Sequence, residues 1–203
     1  MNELIKQRLD NAASTIDSLY DASDEIETIA NHIINAFTNG GTLFVAGNGG
    51  SAAQSIHLCE ELTGRYRDSR PALPALCLCS DAAAMSCIAN DFGWEEVFKR
   101  QIEAHATCAM NEHDEATCHD VLLILSTSGE SANINAALET ANDLGLQTIG
   151  LLGQSGGTSL PLCDSAIVVD APDSASIQDG HQVIIHAICE VIEAWVANEM
   201  AEA

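Results

Sequence analysis

The sequence predicts an α/β fold: a three-layer sandwich with a five-stranded parallel sheet flanked by helices, plus a helical N-terminal segment over about residues 1–40. Three observations carry this expectation. Five short apolar runs are bounded by turn residues, at 42–46, 75–78, 121–125, 148–152 and 166–169. Helical patterns separate most of these runs, and strands alternating with helices imply βαβ units, hence a parallel sheet covered on both faces. The 203 residues suit a single domain, 1–203, and 47% hydrophobic residues are enough for a sizeable core.

In order along the chain, Leu4, Leu9, Ile16, Leu19, Ile26, Ile29, Ile33 and Phe37 recur mostly in steps of three, four or seven, a helical period that Asn39-Gly40-Gly41 stops. The first apolar run follows at once and ends in the glycine-rich turn at Gly47. Helical spacing then carries His57 and Glu61. The stretch 104–120 has little periodicity and reads as an irregular surface connection, while 131–144 and 184–200 are helical patterns. No internal repeat, linker or low-complexity tract is visible.

Charge narrows the function. Thirty acidic residues against seven basic ones give a formal net charge of -23, so duplex nucleic acid and anionic membrane are both repelled. A charged start and the lack of any run near ~18 apolar residues point to a cytoplasmic protein without a membrane span. Eight cysteines, at 59, 77, 79, 87, 108, 118, 163 and 189, include no C-x-x-C pair; they are expected to be small buried hydrophobes rather than disulfides or ligands. A metal site from Cys108, His113, Cys118 and His119 has poor spacing. Arg65, Arg67 and Arg70 follow the His57/Glu61 helix, and no Lys or Arg occurs after Arg100.

Two loops suit an anion. Gly47-Asn48-Gly49-Gly50-Ser51 follows the first strand and 126–131 the third, each opening into a helix whose N–H groups and dipole favour negative charge. Ser51, Ser126, Thr127, Ser128 and Ser131 add hydroxyl donors. Neither loop has the G-K-[ST] ending of nucleotide hydrolases or the G-x-G-x-x-G dinucleotide fingerprint, so a sugar phosphate is the better match. His57 and Glu61 are four apart on one helix face and can share a metal ion or a proton; the plain alternative is a surface His beside a solvated Glu. Gln178 and His186 lie about 80° apart in azimuth and can flank the same site if Gln178 sits near a helix start, whereas His181 points elsewhere.

These residues resemble the sugar isomerase (SIS) domain proteins and, within them, the phosphoheptose isomerase family, over nearly the whole chain. The similarity rests on Gly47-Asn-Gly-Gly-Ser51, His57, Glu61-Leu-Thr-Gly-Arg-Tyr66, Arg70-Pro-Ala-Leu-Pro74, Asn90-Asp-Phe-Gly93, Ser126-Thr-Ser-Gly129, and Ile177-Gln178 with His186. The resemblance implies a flavodoxin-like SIS fold and a homotetramer, with the N-terminal helix used in oligomerisation and sites at subunit contacts. It implies one zinc per subunit, ringed by His57, Glu61, Gln178 and His186. Ser51, Ser126, Thr127, Ser128 and Ser131 would hold the phosphate. Asn48, Gly49, Gly50, Asn90, Asp91 and Gln178 would meet the sugar, with Arg65 reaching into a neighbouring subunit.

The implied reaction interconverts sedoheptulose 7-phosphate and D-glycero-D-manno-heptose 7-phosphate through an enediol, the first step toward lipopolysaccharide heptose. Glu61 would move the C–H proton and His186 the oxygen-bound protons; a zinc-bound carboxylate is a weaker base, so both duties of Glu61 stay open. Three departures stand out. Glu130 replaces an Asn in the second loop and is expected to weaken phosphate binding, Ala175-Ser176 replaces Asp-Arg, and the segment 108–119 is longer than usual. The competing readings are a non-catalytic SIS scaffold that binds the replication initiator, and an enzyme of the same fold acting on another phosphosugar.

Overall fold

The computed structural model describes residues 1–110 and 116–202. Helix α1 (Asn2–Ser18) leads through a 3-10 turn (Leu19–Ala22) into α2 (Ser23–Thr38). Next come β1 (Leu43–Gly47), α3 (Gly50–Thr63), β2 (Ala75–Cys77), α4 (Ala82–Phe92), α5 (Lys99–His105), β3 (Ala109–Met110) and β4 (Ala116–Thr117). The second half runs β5 (Val121–Ser126), α6 (Ala132–Leu144), β6 (Gln147–Gly153), β7 (Ser165–Val169) and α7 (Ser174–Glu202). The main sheet has the order β2-β1-β5-β6-β7 with every pair parallel. That is the flavodoxin-like doubly wound order, whose direction reverses between β1 and β5. All five expected strands form, and their ends fall within one residue of the apolar runs.

Alternation along the strands builds two cores. Leu43, Val45, Leu123, Leu125, Ile149 and Leu151 pack with α2, α3 and α7, against Ile29, Ile33, Leu58, Ile184 and Ile188. Phe44, Ala46, Leu122, Ile124 and Leu152 face the other way, onto Ile102, Ile134 and Leu138 of α5 and α6. Strands buried on both faces must be apolar throughout, which is why they stood out as unbroken runs. Truncating one fully buried member, Leu123→Ala, would cost about 2–5 kcal/mol.

The structure corrects the sequence reading in three places. The N-terminal period is two helices, not one, broken at Leu19–Ala22. Helix α2 buries Ile26, Ile29 and Ile33, whereas Leu4 and Leu9 of α1 are 77% and 63% exposed. Helix α7 begins ten residues before its apolar pattern, at Ser174 rather than 184. Asp173 starts it: Ser176 N–H donates to Asp173 Oδ1 (2.8 Å), and that bond holds the carboxyl below its ordinary value.

The third correction concerns 104–120, which contains a short antiparallel ladder of β3 with β4 instead of an irregular connection. Cys108 and Cys118 flank it as a disulfide, with Cα atoms 4.3 Å apart, so these two are neither small isolated hydrophobes nor free metal ligands. His113 lies outside the described residues. Cys59, Cys77 and Cys189 are buried free thiols, as expected for the class. Buried Asp120 pins the start of the sheet, accepting from Thr42 N–H (2.7 Å) on one oxygen and from Thr107 N–H (2.7 Å) on the other.

The few cations are largely engaged by carboxylates. Lys6 pairs with Glu3, Arg8 with Asp179, Arg67 with Glu190, Arg70 with Glu193 and Lys99 with Glu96. The remaining acidic surface repels itself. Raising KCl from about 0.1 to 1 M shortens the screening length from about 10 to 3 Å, so the thermal midpoint is expected to rise by several degrees. A midpoint that stays level or falls in a calorimetric salt series would rule out self-repulsion as the limit on stability.

Candidate functional site

The sheet reverses its winding between β1 and β5, and at that point the loops after both strands open at the carboxyl edge. After β1 the chain turns at Gly49, whose φ is +56°, and enters α3 at Gly50. Ser51 sits buried in the first turn of the helix, and Ser51 N–H donates to Asn48 O (3.0 Å). After β5, Ser126 Oγ accepts from Gly129 N–H (3.1 Å) and Ser128 Oγ accepts from Glu130 N–H (3.2 Å). Ser131 caps α6 by position, but its hydroxyl bonds to no backbone group of the helix, so it is free for an anion.

Gly129 has φ +66°, and a Cβ there would collide with the carbonyl oxygen of Gly156. Only glycine lets the second loop lie this close to the chain after β6. Glu130 turns outward: its carboxylate accepts from Thr158 N–H (3.1 Å) and Thr158 Oγ1–H (2.8 Å). The departure from the family pattern therefore braces the loop instead of pointing its charge at the phosphate seat.

Helices α3 and α7 meet along a polar seam. His57 Nε2 lies 3.1 Å from His186 Nε2 and 3.5 Å from Glu61 Oε1. Donor atoms of His57, Glu61 and His186 all lie within 4.8 Å of one another. Gln178 packs over the start of α3, where a Cβ on Gly50 would sit 2.5 Å from Gln178 Nε2. His181 is buried away from this seam and donates through Nε2 to Leu152 O (3.0 Å). Beneath the seam, burial and then the Glu61 carboxylate push the Cys189 thiol up to about 12, so it stays protonated.

Two glutamines that the sequence did not single out complete the seam. Gln54 Nε2 donates to the main-chain oxygen of Gln178 (2.8 Å) and to Gln182 Oε1 (3.3 Å). That leaves Gln182 Nε2 facing His186 Nε2 at 3.0 Å. His186 must then accept at Nε2 and carry its proton on Nδ1. The signal was a polar stripe at helical spacing: Gln54, His57 and Glu61 on α3, and Gln178, Gln182 and His186 on α7.

The His/Glu/His donor set fits a zinc ion. Two imidazoles and a carboxylate with room for a fourth ligand are the usual catalytic arrangement, and tetrahedral bonds of about 2.0–2.1 Å place ligand atoms roughly 3.3 Å apart. The His57–His186 spacing is close to that edge.

Other expected residues lie apart from the cluster within one chain. Asn90 and Asp91 are exposed at the end of α4 and bond to each other, Asn90 Nδ2 donating to Asp91 Oδ1 (2.7 Å). Arg65 is exposed just past α3 and makes no hydrogen bond to the described residues. A cleft of about 450 Å³, lined by Asn48, Phe92, Trp94, Ser131 and Asn133, opens between the end of α4 and the N-terminus of α6.

Comparison with known proteins gives the family. The family model described as "SIS domain" matches residues 9–153. The chain is similar to a phosphoheptose isomerase of Pelobacter propionicus, 43% identical over 165 residues, 81% of this chain and 82% of that one. It is also similar to a phosphoheptose isomerase of Geotalea daltonii, 40% identical over 200 residues, 98% of this chain and 99% of the other. Among solved structures, the phosphoheptose isomerase from Neisseria gonorrhoeae superposes with a TM-score of 0.84 at 29% identity, covering 95% of this chain and 98% of that one.

Buried His181, on α7 but away from the seam, gives the fold a pH signature. Desolvation lowers its proton affinity in the folded state, outweighing the Leu152 carbonyl that raises it. The unfolded chain therefore binds one proton more once pH drops below about 6.5. Stability is intact above that pH and declines as pH falls toward the lowered folded value. His181→Leu is expected to flatten the slope of thermal midpoint against pH between about 7 and 5, at lower overall stability; an unchanged slope would assign the dependence to other groups.

Proposed function

The chain belongs to the SIS domain family, and we propose that it is a phosphoheptose isomerase, interconverting sedoheptulose 7-phosphate and D-glycero-D-manno-heptose 7-phosphate. One observation carries the reading: a carboxylate and two imidazoles, Glu61, His57 and His186, meet between α3 and α7, and α3 itself opens from one of the two glycine- and serine-rich loops. Nearly full-length identity to phosphoheptose isomerases supports it. The scaffold reading has no use for the His186 cluster, and no observation favours a different phosphosugar.

Phosphate binds at the start of α3 and α6, held by N–H groups with Ser51, Ser126, Thr127, Ser128 and Ser131. The sugar then extends toward the α3–α7 seam, with Asn48 and Gln178 along its path. Glu61 takes the proton from the carbon beside the carbonyl, and the electron pair forms the enediol double bond. The same carboxylate returns that proton to the neighbouring carbon. His186, with Nε2 facing the seam, moves the proton between the two oxygens, so aldose and ketose exchange with no net gain or loss. Zinc, which His57, Glu61 and His186 would hold with Gln178 as a further candidate, would supply Lewis-acid polarisation of the carbonyl, and His186 would then serve as a ligand through Nε2 instead of moving the oxygen-bound proton.

The oligomeric part of the reading rests on exposed apolar side chains. Leu4, Ile5 and Leu9 of α1 lie in solvent in a single chain, a surface that a homotetramer would cover. The same assembly would bring Arg65 to the sugar in a neighbouring subunit's site. A cytoplasmic location suits a sugar-phosphate enzyme and a chain with no helix, among the described residues, long and apolar enough to cross a membrane. In a reducing cytoplasm Cys108 and Cys118 are expected as thiols.

Two outcomes test the chemistry. Glu61→Gln should lower kcat by about 10²–10⁴ while helical content and assembly state stay as in the parent; near-parental turnover would remove Glu61 from proton transfer. Exhaustive chelation should reduce activity and zinc should restore it, and full activity in protein shown metal-free by mass spectrometry would make the metal dispensable.

A further inference from the structure

Asn48 and Asn133 form a closed amide pair across the two anion loops. Asn48 Nδ2 donates to Asn133 Oδ1 (2.8 Å), and Asn133 Nδ2 donates to Asn48 Oδ1 (2.9 Å). Asn48 lies in the turn after β1. Asn133 is the second residue of α6 and is only 2% exposed. Their sequence separation is 85 residues, and the pair ties the side chains of the loop after β1 to those at the start of α6. Both residues line the cleft between α4 and α6.

A carboxamide has two N–H donors and two acceptor lone pairs. The reciprocal pair engages one of each on both residues, leaving Asn48 a second N–H and a second lone pair. Its plane is set by Asn133, which is buried and itself fixed in the first turn of α6. Rotating Asn48 alone by a half-turn about its amide would set donor against donor and acceptor against acceptor and break both bonds. An apolar residue in place of Asn133 would pack at this buried position without needing a partner, so a buried carboxamide here has its use in what it does to Asn48 at the cleft.

We propose that Asn133 is a positioning residue for sugar recognition: it locks the carboxamide of Asn48 so that the unengaged N–H and lone pair meet a donor–acceptor pair of sugar hydroxyls. This rests on the isomerase reading and on Asn48 as a sugar contact. An ordered side chain loses less freedom on binding than a free one. Freeing a single polar side chain of this kind is expected to weaken binding by about three- to tenfold.

The test is a double-mutant cycle of Asn48→Ala, Asn133→Ala and the pair, read by sedoheptulose 7-phosphate turnover, by calorimetric binding of the same sugar, and by thermal midpoint. Asn133→Ala should raise KM and Kd by about three- to tenfold, with kcat changed far less. The double variant should bind no worse than Asn48→Ala alone, because the two residues act as one unit. Additive penalties, or a lower midpoint with parental KM and Kd, would make Asn133 a packing residue and overturn the proposal. A parental chain that binds the sugar without turning it over would overturn the isomerase reading and leave the amide pair to be judged by Kd. Parental protein that does not bind the sugar overturns both.

Discussion

The site depends on one packing constraint: the first turns of α7 must lie directly on α3. The proposed proton transfer and metal binding depend on that approach, since His57 and Glu61 sit on one helix and Gln178, Gln182 and His186 on the other. The approach is possible because residue 50 has no side chain, leaving its space to Gln178. It is held by the apolar undersides of the same helices, Leu58 and Leu62 on α3 and Ile184, Ile185 and Ile188 on α7. Each helix thus has a greasy side that anchors it to the sheet and a polar side turned to its partner.

This division of faces explains what could be read from the sequence. The five strands were legible because burial on both sides leaves them almost wholly apolar, with buried Ser126 and Thr148 only near strand ends. The His57/Glu61 spacing and the two loops were legible because they are local. The start of α7 was hidden for a functional reason: Gln178, Asp179, Gly180, His181 and Gln182 break the apolar rhythm where the helix lines the seam. Asn133 was invisible because its partner lies 85 residues away, and Gln54 and Gln182, although on polar stripes, were passed over because their mutual contact spans 128 residues. The break at Leu19–Ala22 was missed because a 3-10 turn changes the direction of a helix without interrupting its apolar spacing.

Electrostatics set a second limit. A chain of net charge -23 must attract a doubly charged phosphate against its own field. Most of its own cations are already engaged by carboxylates, and Arg100 lies over the Phe92 ring with 3.9 Å from guanidinium carbon to centroid. The proposed anion seat would therefore be made of neutral dipoles: serine hydroxyls, backbone N–H groups and two helix ends. Bracing by Thr158 keeps Glu130 turned away from them. Such a seat loses less to high salt than an arginine pocket would, because its attraction acts at contact distance.

The disulfide-flanked hairpin lies just before Asp120 and β5, at the amino edge of the sheet. Loops at the carboxyl edge carry the chemistry, so the hairpin occupies the opposite pole of the molecule. Asp120 isolates it mechanically by fastening the sheet directly behind it. That arrangement would let a fluorophore, an affinity peptide or a surface linker attached beside β3 and β4 sit on the side away from the loops at the carboxyl edge.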